Sequence, residues 1–262
     1  MTDAGSEVFD QHLDAWQAWQ RTPWGRMRYR IVAETLARTC ADQGPGPLRV
    51  LDLGGGDGAD SLPLARAGHS VTVVDISVPL LGLADEAAAA EGLADRVTTV
   101  HSGVDGLDDL GLGGFDLVLC HNVVQYVADL DATVAVLERA VRRGGALSLL
   151  APNPAADVMS AAVAREDLAA ALDLLDAPTQ RTETFGHDVR RIPVEAAAAA
   201  LDAVGLSDRT TFGIQCATHL VPNRRKEEPE FFAELEALEL ALCDREPYLR
   251  LARFWQVVAR RP

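Results

Sequence analysis

A glycine-rich turn that directly follows a short, mostly apolar run constrains this chain more than any other feature. The run spans residues 50–53, and the turn is Gly54-Gly55-Gly56-Asp57-Gly58. A second apolar run at 71–74 ends in Asp75. Glycines let the backbone approach a ligand closely, and a carboxylate at the tip of the next strand can bind a ribose diol. The sequence therefore predicts a βαβ unit that binds a nucleoside.

The chain around this unit alternates between predicted strands and helices. Strands are predicted at 49–53, 70–75, 97–101, 115–120 and 146–151, helices at 57–67, 78–91 and 129–141, and a loop with a short helix near 104–112. Such alternation is typical of a doubly wound, mostly parallel sheet. Two further strands, at 206–213 and 254–259 around a helix at 228–244, are expected to add an antiparallel edge. The prediction is an α/β fold with a seven-stranded sheet.

Helical segments are predicted on both sides of this core. Residues 8–39 have helical periodicity with a break at Thr22-Pro23-Trp24-Gly25, so 1–43 are expected to form an N-terminal helical arm. Its tryptophans Trp16, Trp19 and Trp24 either cover the site as a lid or pack on the core. Residues 155–176 are predicted as alanine-rich helix, 177–191 as a polar loop and 194–204 as a helix that ends at Gly205. We expect residues 1–262 to form a single domain, with 155–200 as a helical insertion over the substrate site.

The charge and the cysteines limit the partners that this chain can have. The formal net charge of −15 opposes binding to phosphates unless a local basic patch exists. Arg21, Arg26, Arg28 and Arg30 form one basic cluster, and Arg224, Arg225 and Lys226 form another; each is either such a patch or a solvated surface. No apolar run has the ~20 residues that a membrane span requires. Four scattered cysteines and the lack of metal-ligand spacing predict reduced thiols, no metal site and a cytoplasmic protein.

The spacing of the glycines distinguishes between two kinds of nucleotide site. A dinucleotide site requires G-x-G-x-x-G, whereas this turn follows Asp52 and reads G-x-G-x-G. Such a turn leaves room for a compact, zwitterionic amino-acid group. The pattern resembles motif I of the class I S-adenosylmethionine (SAM)-dependent methyltransferases. This resemblance implies a Rossmann-like fold, SAM as the cofactor, Asp75 as the ligand of the ribose hydroxyls and Val104 as a contact of the adenine.

Several segments outside the glycine turn are similar to one subfamily, the bacterial tRNA 5-carboxymethoxyuridine methyltransferases (Smt-type). They include Trp24-Gly25-Arg26-Met27-Arg28, Cys120-His121 and residues 243–253. The similarity spans about residues 10 to 260 and is weakest at 155–230. It implies that Arg28 binds the carboxylate of SAM, for which an arginine fork is well suited, and that His121 lies near the cofactor.

Taken together, the motifs and the resemblance imply two sets of site residues. The cofactor set is Arg28, Asp52, Gly54, Gly55, Gly56, Asp75, Ile76, Gly103, Val104, Asp105 and His121. The catalytic set is His121 and Tyr126, and His187 is a further candidate base. A carboxylate acceptor needs no general base, whereas a hydroxyl or an amine does.

The methyl acceptor stays open at the level of sequence. The resemblance implies transfer to an oxygen, carboxylate or hydroxyl, on tRNA. The main alternative is O- or N-methylation of a small molecule, and two others are a non-catalytic SAM-binding protein and a nicotinamide-dependent oxidoreductase. The tRNA enzymes carry a G-V-R pattern where this chain has Gly213-Ile214-Gln215, which removes a partner for an acidic group. Arg181, Arg190 and Arg191 either compensate for that loss or are solvated.

Overall fold

A seven-stranded sheet forms the centre of the molecule in the computed structural model, which describes residues 11–182, 186 and 188–262. The strands are β1 Arg49–Leu53, β2 Ser70–Asp75, β3 Val97–His101, β4 Phe115–His121, β5 Val141–Pro152, β8 Ser207–Ile214 and β9 Phe254–Arg260. Their order is β3-β2-β1-β4-β5-β9-β8, with β1 to β5 parallel and β9 antiparallel to both neighbours. This confirms the predicted fold class, including the antiparallel edge.

Helices cover both faces of the sheet. They are α1 Leu13–Arg21, α2 Pro23–Ala41, α3 Leu62–Arg66, α4 Val78–Ala90, α5 Leu130–Ala140, α6 Pro154–Met159, α7 Leu168–Leu175, α8 Val194–Ala203, α9 Asn223–Lys226 and α10 Pro229–Leu242. Alternate side chains of the strands point to opposite faces, so Leu51 joins the apolar cluster under α5 and α8, whereas Val50 joins the cluster under α2 and α10. None of the described helices is long and apolar enough to span a membrane.

The break between α1 and α2 is confined to Thr22. The Thr22 hydroxyl accepts a hydrogen bond from the Gly25 amide at 3.0 Å, and Pro23 occupies the first turn of α2, where its missing amide hydrogen costs nothing. Met27, Ile31 and Leu36 are fully buried on the sheet. The face of α2 that carries Arg28 is therefore held at a fixed position against the sheet.

The segment after β5 differs from its predicted structure. The helix predicted over 155–176 is divided into α6, a π-helical turn at Ser160–Ala164 and α7, because Glu166 has a φ of 56° and Asp167 begins a new helix by capping the Ala170 amide. The loop predicted over 177–191 contains an antiparallel pair, β6 Thr179–Arg181 and β7 Asp188–Arg190. The helix predicted over 57–67 is shortened to Leu62–Arg66, since the preceding residues form turns.

Candidate functional site

A cavity of about 660 Å³ opens at the carboxyl ends of β1, β2 and β4. The order of the strands reverses at β1, which lies between β2 and β4, and ligands of open α/β sheets bind at such reversals. The predicted cofactor residues line this cavity, with the exception of Asp105, which is exposed and lies outside it. Trp16, Trp19 and Trp24 also line the cavity, and α2 contributes Arg28.

The glycine turn forms the floor of the cavity, and two of its positions exclude any larger residue. Gly54 has a φ of +70°, and a Cβ there would lie 2.2 Å from Val123 Cγ2. A Cβ on Gly55 would lie 2.6 Å from Asp52 Oδ2. Only glycine fits at these two positions, so no side chain lies between the backbone of the turn and the cavity that it lines.

Asp75 at the end of β2 is held by two backbone amides. Its Oδ2 accepts from the Gly56 amide at 2.9 Å, and its Oδ1 accepts from the Ser77 amide at 2.9 Å. These two bonds fix the orientation of the carboxylate, and Asp75 lines the cavity at the tip of β2. This geometry fits the ribose role that the resemblance implies.

Arg28 reaches the cavity from α2 and forms an ion pair that the sequence did not reveal. Its Nη1 donates to Asp60 Oδ1 at 2.5 Å, and both side chains are more than nine-tenths buried. Burial alone raises the pKa of Asp60, but the Arg28 guanidinium and the hydrogen bond with His121 lower it to about 2. Asp60 is therefore ionised. It lies two residues after Gly58, and the only signal for it in the sequence was a third acidic residue, after Asp52 and Asp57, in a segment of small residues.

His121, at the end of β4, has both ring nitrogens engaged. Nδ1 lies 2.9 Å from Asp60 Oδ2, and Nε2 lies 2.9 Å from Ser148 Oγ. Burial lowers the pKa of His121, so the ring is neutral. No lone pair of His121 is left to take a proton from an acceptor in this arrangement.

In this part of the cavity, besides the amide oxygens of Asn122 and Gln125, two buried polar atoms of charged side chains have no hydrogen-bond partner among the described residues. They are Arg28 Nε, a donor, and Asp52 Oδ2, an acceptor. Burial, with a further contribution from Asp60, raises the pKa of Asp52 to about 7. A donor cation and an acceptor carboxylate match the carboxylate and the ammonium of an α-amino acid, so the residues present fit the amino-acid end of SAM.

The remaining predicted residues are placed as follows. Ile76, Gly103 and Val104 line the cavity beyond Asp75. Tyr126 also lines it, and burial raises the pKa of its hydroxyl to about 12, so the phenol stays protonated. His187 lies outside the described residues.

The far wall of the cavity comes from segments after β5. Of the predicted basic cluster Arg224, Arg225 and Lys226 only Lys226 lines it, beside residues such as His219 that the sequence did not single out. Lys226 is 5% exposed, donates to Asn223 Oδ1 at 3.0 Å and lies 5.2 Å from the centre of the Trp24 ring. His219 Nε2 is buried without a partner in the described chain, and burial lowers the pKa of His219 to about 4. Arg253 pairs with Asp157 on the same wall.

Two groups can be distinguished among Gln215, which stands in place of the missing arginine, and the three arginines considered as replacements. Gln215 lines the cavity and donates to the Trp24 carbonyl at 2.5 Å, and Arg181 also lines it. In contrast, Arg190 donates to the carbonyls of Val127 and Ala128, at 3.1 and 3.0 Å. Arg191 donates to the carbonyls of Pro154, Leu174 and Ala177. Arg190 and Arg191 therefore bind backbone carbonyls and are not among the residues that line the cavity.

Comparison with known proteins agrees with this geometry. Residues 50–145 match the family described as methyltransferase domain. The chain is 31% identical to the tRNA 5-carboxymethoxyuridine methyltransferase of Escherichia coli K12 over 92% of its own length and 90% of the relative. It belongs to the SAM-dependent methyltransferases, in the family of that enzyme.

Further relatives of this methyltransferase extend the comparison. The ubiquinone biosynthesis O-methyltransferase of Rhizobium leguminosarum bv. trifolii is 32% identical over 58% of the chain and 67% of the relative. The magnesium protoporphyrin IX methyltransferase of Synechocystis PCC 6803 with bound S-adenosylhomocysteine superposes with a TM-score of 0.64 at 18% identity, covering 98% of each chain, and shows the shared fold. The chain is thus an enzyme that uses SAM as its methyl donor.

Proposed function

We propose that the enzyme transfers the methyl group of SAM to a carboxylate oxygen. The observation that carries this proposal is the difference in charge between the two parts of the sequence that line the cavity. Among its described lining residues, the part before residue 128 has four carboxylates, Asp52, Asp57, Asp60 and Asp75, and a single cation, Arg28. The part after residue 151 has four cations, Arg165, Arg181, Lys226 and Arg253, and a single carboxylate, Asp157.

The two groups of lining residues, those before residue 128 and those after residue 151, suit ligands of opposite charge. SAM carries a sulfonium and an ammonium against one carboxylate, so its net positive charge suits the acidic group. The basic group suits an anionic acceptor. Lys226 is the best placed anchor because it is buried and carries three N–H donors, one of which is directed at Asn223 Oδ1. Burial lowers the pKa of Lys226, and the charge of Glu239 opposes this shift. An anionic acceptor would add to the effect of Glu239 in favouring the charged lysine.

The available groups for proton transfer also favour a carboxylate. The sulfonium methyl of SAM is transferred by in-line displacement, so the chain must mainly orient the acceptor. A carboxylate attacks without losing a proton. In the described cavity, His121 has no unengaged nitrogen, Tyr126 is a protonated phenol, and His219 is a weak base because its pKa is about 4.

The carrier of the carboxylate has two candidate sources. The E. coli relative is a tRNA 5-carboxymethoxyuridine methyltransferase. Partly buried tryptophans and the exposed Arg165 and Arg181 line the same cavity, and such residues stack on nucleotide bases and bind phosphates. A small carboxylic acid presents the same acceptor group and avoids the repulsion that a net charge of −15 imposes on RNA. A tRNA nucleotide and a small acid both present a carboxylate. We call the four cations that would bind it, Arg165, Arg181, Lys226 and Arg253, the basic wall.

A hydroxyl acceptor is the second candidate, favoured by His219. Its buried Nε2 has no partner in the described chain and can accept a hydrogen bond from a hydroxyl. The ubiquinone biosynthesis O-methyltransferases provide relatives that methylate an oxygen.

Transfer of labelled methyl from SAM tests the proposal. The acceptors are bulk tRNA and a bacterial extract of small molecules, and each labelled product is treated with mild alkali, which hydrolyses methyl esters and leaves methyl ethers and amines intact. We expect alkali to release the label as methanol from one of these fractions. Label that survives alkali in both fractions would exclude a carboxylate acceptor and would favour the role of His219.

A matched pair of variants tests the basic wall separately. Lys226→Gln removes the buried charge, and Arg224→Gln removes an exposed charge that does not line the cavity. We expect Lys226→Gln to raise the KM of the acceptor about 10- to 100-fold, the range of a lost charge-assisted hydrogen bond, without changing SAM affinity. Equal effects of the two variants would show that Lys226 is not the anchor.

A further inference from the structure

A continuous row of buried side chains leads from the cofactor cavity through the core of the sheet. Successive donor–acceptor distances are 2.7 Å for Thr35 Oγ1–Gln256 Oε1, 3.0 Å for Gln256 Nε2–Ser148 Oγ, 2.9 Å for Ser148 Oγ–His121 Nε2 and 2.9 Å for His121 Nδ1–Asp60 Oδ2. Thr35, Ser148 and Gln256 have no exposed surface. We call this row the Thr35–Asp60 chain.

The direction of every hydrogen bond in the Thr35–Asp60 chain follows from its acidic end. The ionised Asp60 can only accept, so His121 Nδ1 carries the proton. The ring is neutral, so Nε2 must accept the hydrogen of Ser148. Ser148 then accepts from the Gln256 amide nitrogen, and the Gln256 oxygen accepts from Thr35. The single hydroxyl hydrogen of Thr35 is thereby directed to Gln256 and not to the Val32 carbonyl, which lies 2.9 Å from the same oxygen. All donors therefore point towards Asp60, where Arg28 donates from the opposite side.

The two ends of this arrangement lie on the same helix. Arg28 and Thr35 are seven residues apart on α2, which places them on one face about two turns apart. Between them the connection passes through β9, β5 and β4 and returns through Asp60. The position of α2 against the sheet is thus coupled to the orientation of the Arg28 guanidinium.

We propose that the Thr35–Asp60 chain positions Arg28 for the carboxylate of SAM. Thr35, Gln256, Ser148 and His121 are positioning residues in this proposal, because they act through Asp60 and do not themselves touch the cofactor carboxylate. Asp60 holds one edge of the guanidinium, which leaves Arg28 Nε buried and without a partner among the described residues. The proposal rests on the role of Arg28 and is independent of the acceptor.

Two threonines on α2 offer a matched test. Thr35→Val removes the first donor of the chain, whereas Thr39→Val removes a buried hydroxyl that only donates to the backbone carbonyl of Thr35. Both changes preserve the shape of the side chain, and Thr35→Ser restores the donor. Calorimetry should use S-adenosylhomocysteine, which has the amino-acid group, and 5′-methylthioadenosine, which lacks it.

We expect Thr35→Val to weaken S-adenosylhomocysteine about fivefold, the effect of one hydrogen bond, and to leave 5′-methylthioadenosine unchanged. Thr39→Val should change neither affinity, and Thr35→Ser should recover most of the loss. Equal weakening of both ligands by Thr35→Val, or equal effects of the two valine variants, would overturn the proposal, because general loosening of α2 does not distinguish ligands by their carboxylate.

His121 provides an independent test through kinetics. His121→Asn retains a donor for Asp60 and cannot act as a base, whereas His121→Leu removes both functions. A positioning role predicts that His121→Leu raises the KM of SAM more than it lowers kcat, and that His121→Asn recovers part of this loss. An equally complete loss of kcat at saturating SAM in the two variants would assign His121 a role in proton transfer and would refute the proposal.

Discussion

Asp52 is expected to release a proton when SAM binds. Its carboxylate is 1% exposed, its Oδ2 has no hydrogen-bond partner in the described chain, and its pKa is raised to about 7, mainly by burial. In the free enzyme near pH 6.5 a substantial fraction of Asp52 therefore carries a proton. The ammonium of SAM, placed beside it, favours the ionised carboxylate. Binding should therefore release a substantial part of a proton at this pH.

Calorimetry in two buffers measures this release. The observed enthalpy at pH 6.5 should differ between phosphate and Tris, because released protons are taken up by buffers with different enthalpies of ionisation. SAM affinity should rise with pH up to about pH 7, since the cost of deprotonating Asp52 falls, and Asp52→Asn should remove both effects. For 5′-methylthioadenosine, which has no ammonium, no release is expected. Identical enthalpies for SAM in the two buffers would refute the reasoning.

Three further changes have distinct expected outcomes. Asp75→Ala should weaken SAM binding about 10- to 100-fold, and more than Asp57→Ala does, because two backbone amides hold the Asp75 carboxylate in the orientation proposed for the ribose hydroxyls. Calorimetry that gives the reverse order of the two variants would contradict this role. Gly54→Ala should lower the free energy of unfolding by about 2 kcal/mol or more in urea titrations, because the added Cβ clashes with Val123. Gly56→Ala adds a Cβ with no neighbour closer than 3.6 Å, so it should lower the free energy of unfolding by only about 1 kcal/mol, the cost of its left-handed backbone. Equal losses would argue against the clash with Val123. Asp60 has a pKa of about 2, below its ordinary value, so it contributes about 2 kcal/mol to the free energy of unfolding above pH 4, and this contribution is lost as the pH falls towards 2. Urea titrations at pH 2.5 and pH 5 should therefore show a smaller difference in stability for Asp60→Asn than for the unchanged protein.

The cofactor half of the site could be predicted because its signals are local. The turn from Asp52 to Gly58 is continuous in sequence, and its glycines are required by contacts such as Gly54 against Val123. Asp75 follows from the next strand in a parallel sheet, since the carboxyl ends of neighbouring strands meet at one edge. Arg28 was implied only by resemblance to a family.

The Thr35–Asp60 chain could not be predicted in the same way. Thr35 and Gln256 are 221 residues apart in sequence, and their residue types are ordinary in helices and strands. Only the packing of α2 across β5 and β9 brings them together. Similarly, Lys226 and His219 belong to short helices in the segment where resemblance to the tRNA enzymes is weakest, so no spacing indicated that they line the cavity.

Residues 155–191 show that amino-acid composition alone does not predict where helices end and short strands form. Alanine-rich sequence favours helix throughout 155–176, but the chain turns sharply at Glu166 and begins α7 at the Asp167 cap. The short strands β6 and β7 have three residues each, which is too few for a period of two to be recognised. Tertiary contacts, such as those of Arg191 with the carbonyls of Pro154 and Ala177, determine this segment.

The chemical stability of the transferred methyl group tests most directly whether the acceptor atom is a carboxylate oxygen. The enzyme is incubated with methyl-labelled SAM and either bulk tRNA or a small-molecule extract, and the labelled product is purified and exposed to mild alkali. A basic wall built for a carboxylate predicts a methyl ester, so the label should appear as volatile methanol. Label that remains attached to the product after alkali would contradict this account, whichever fraction contains it.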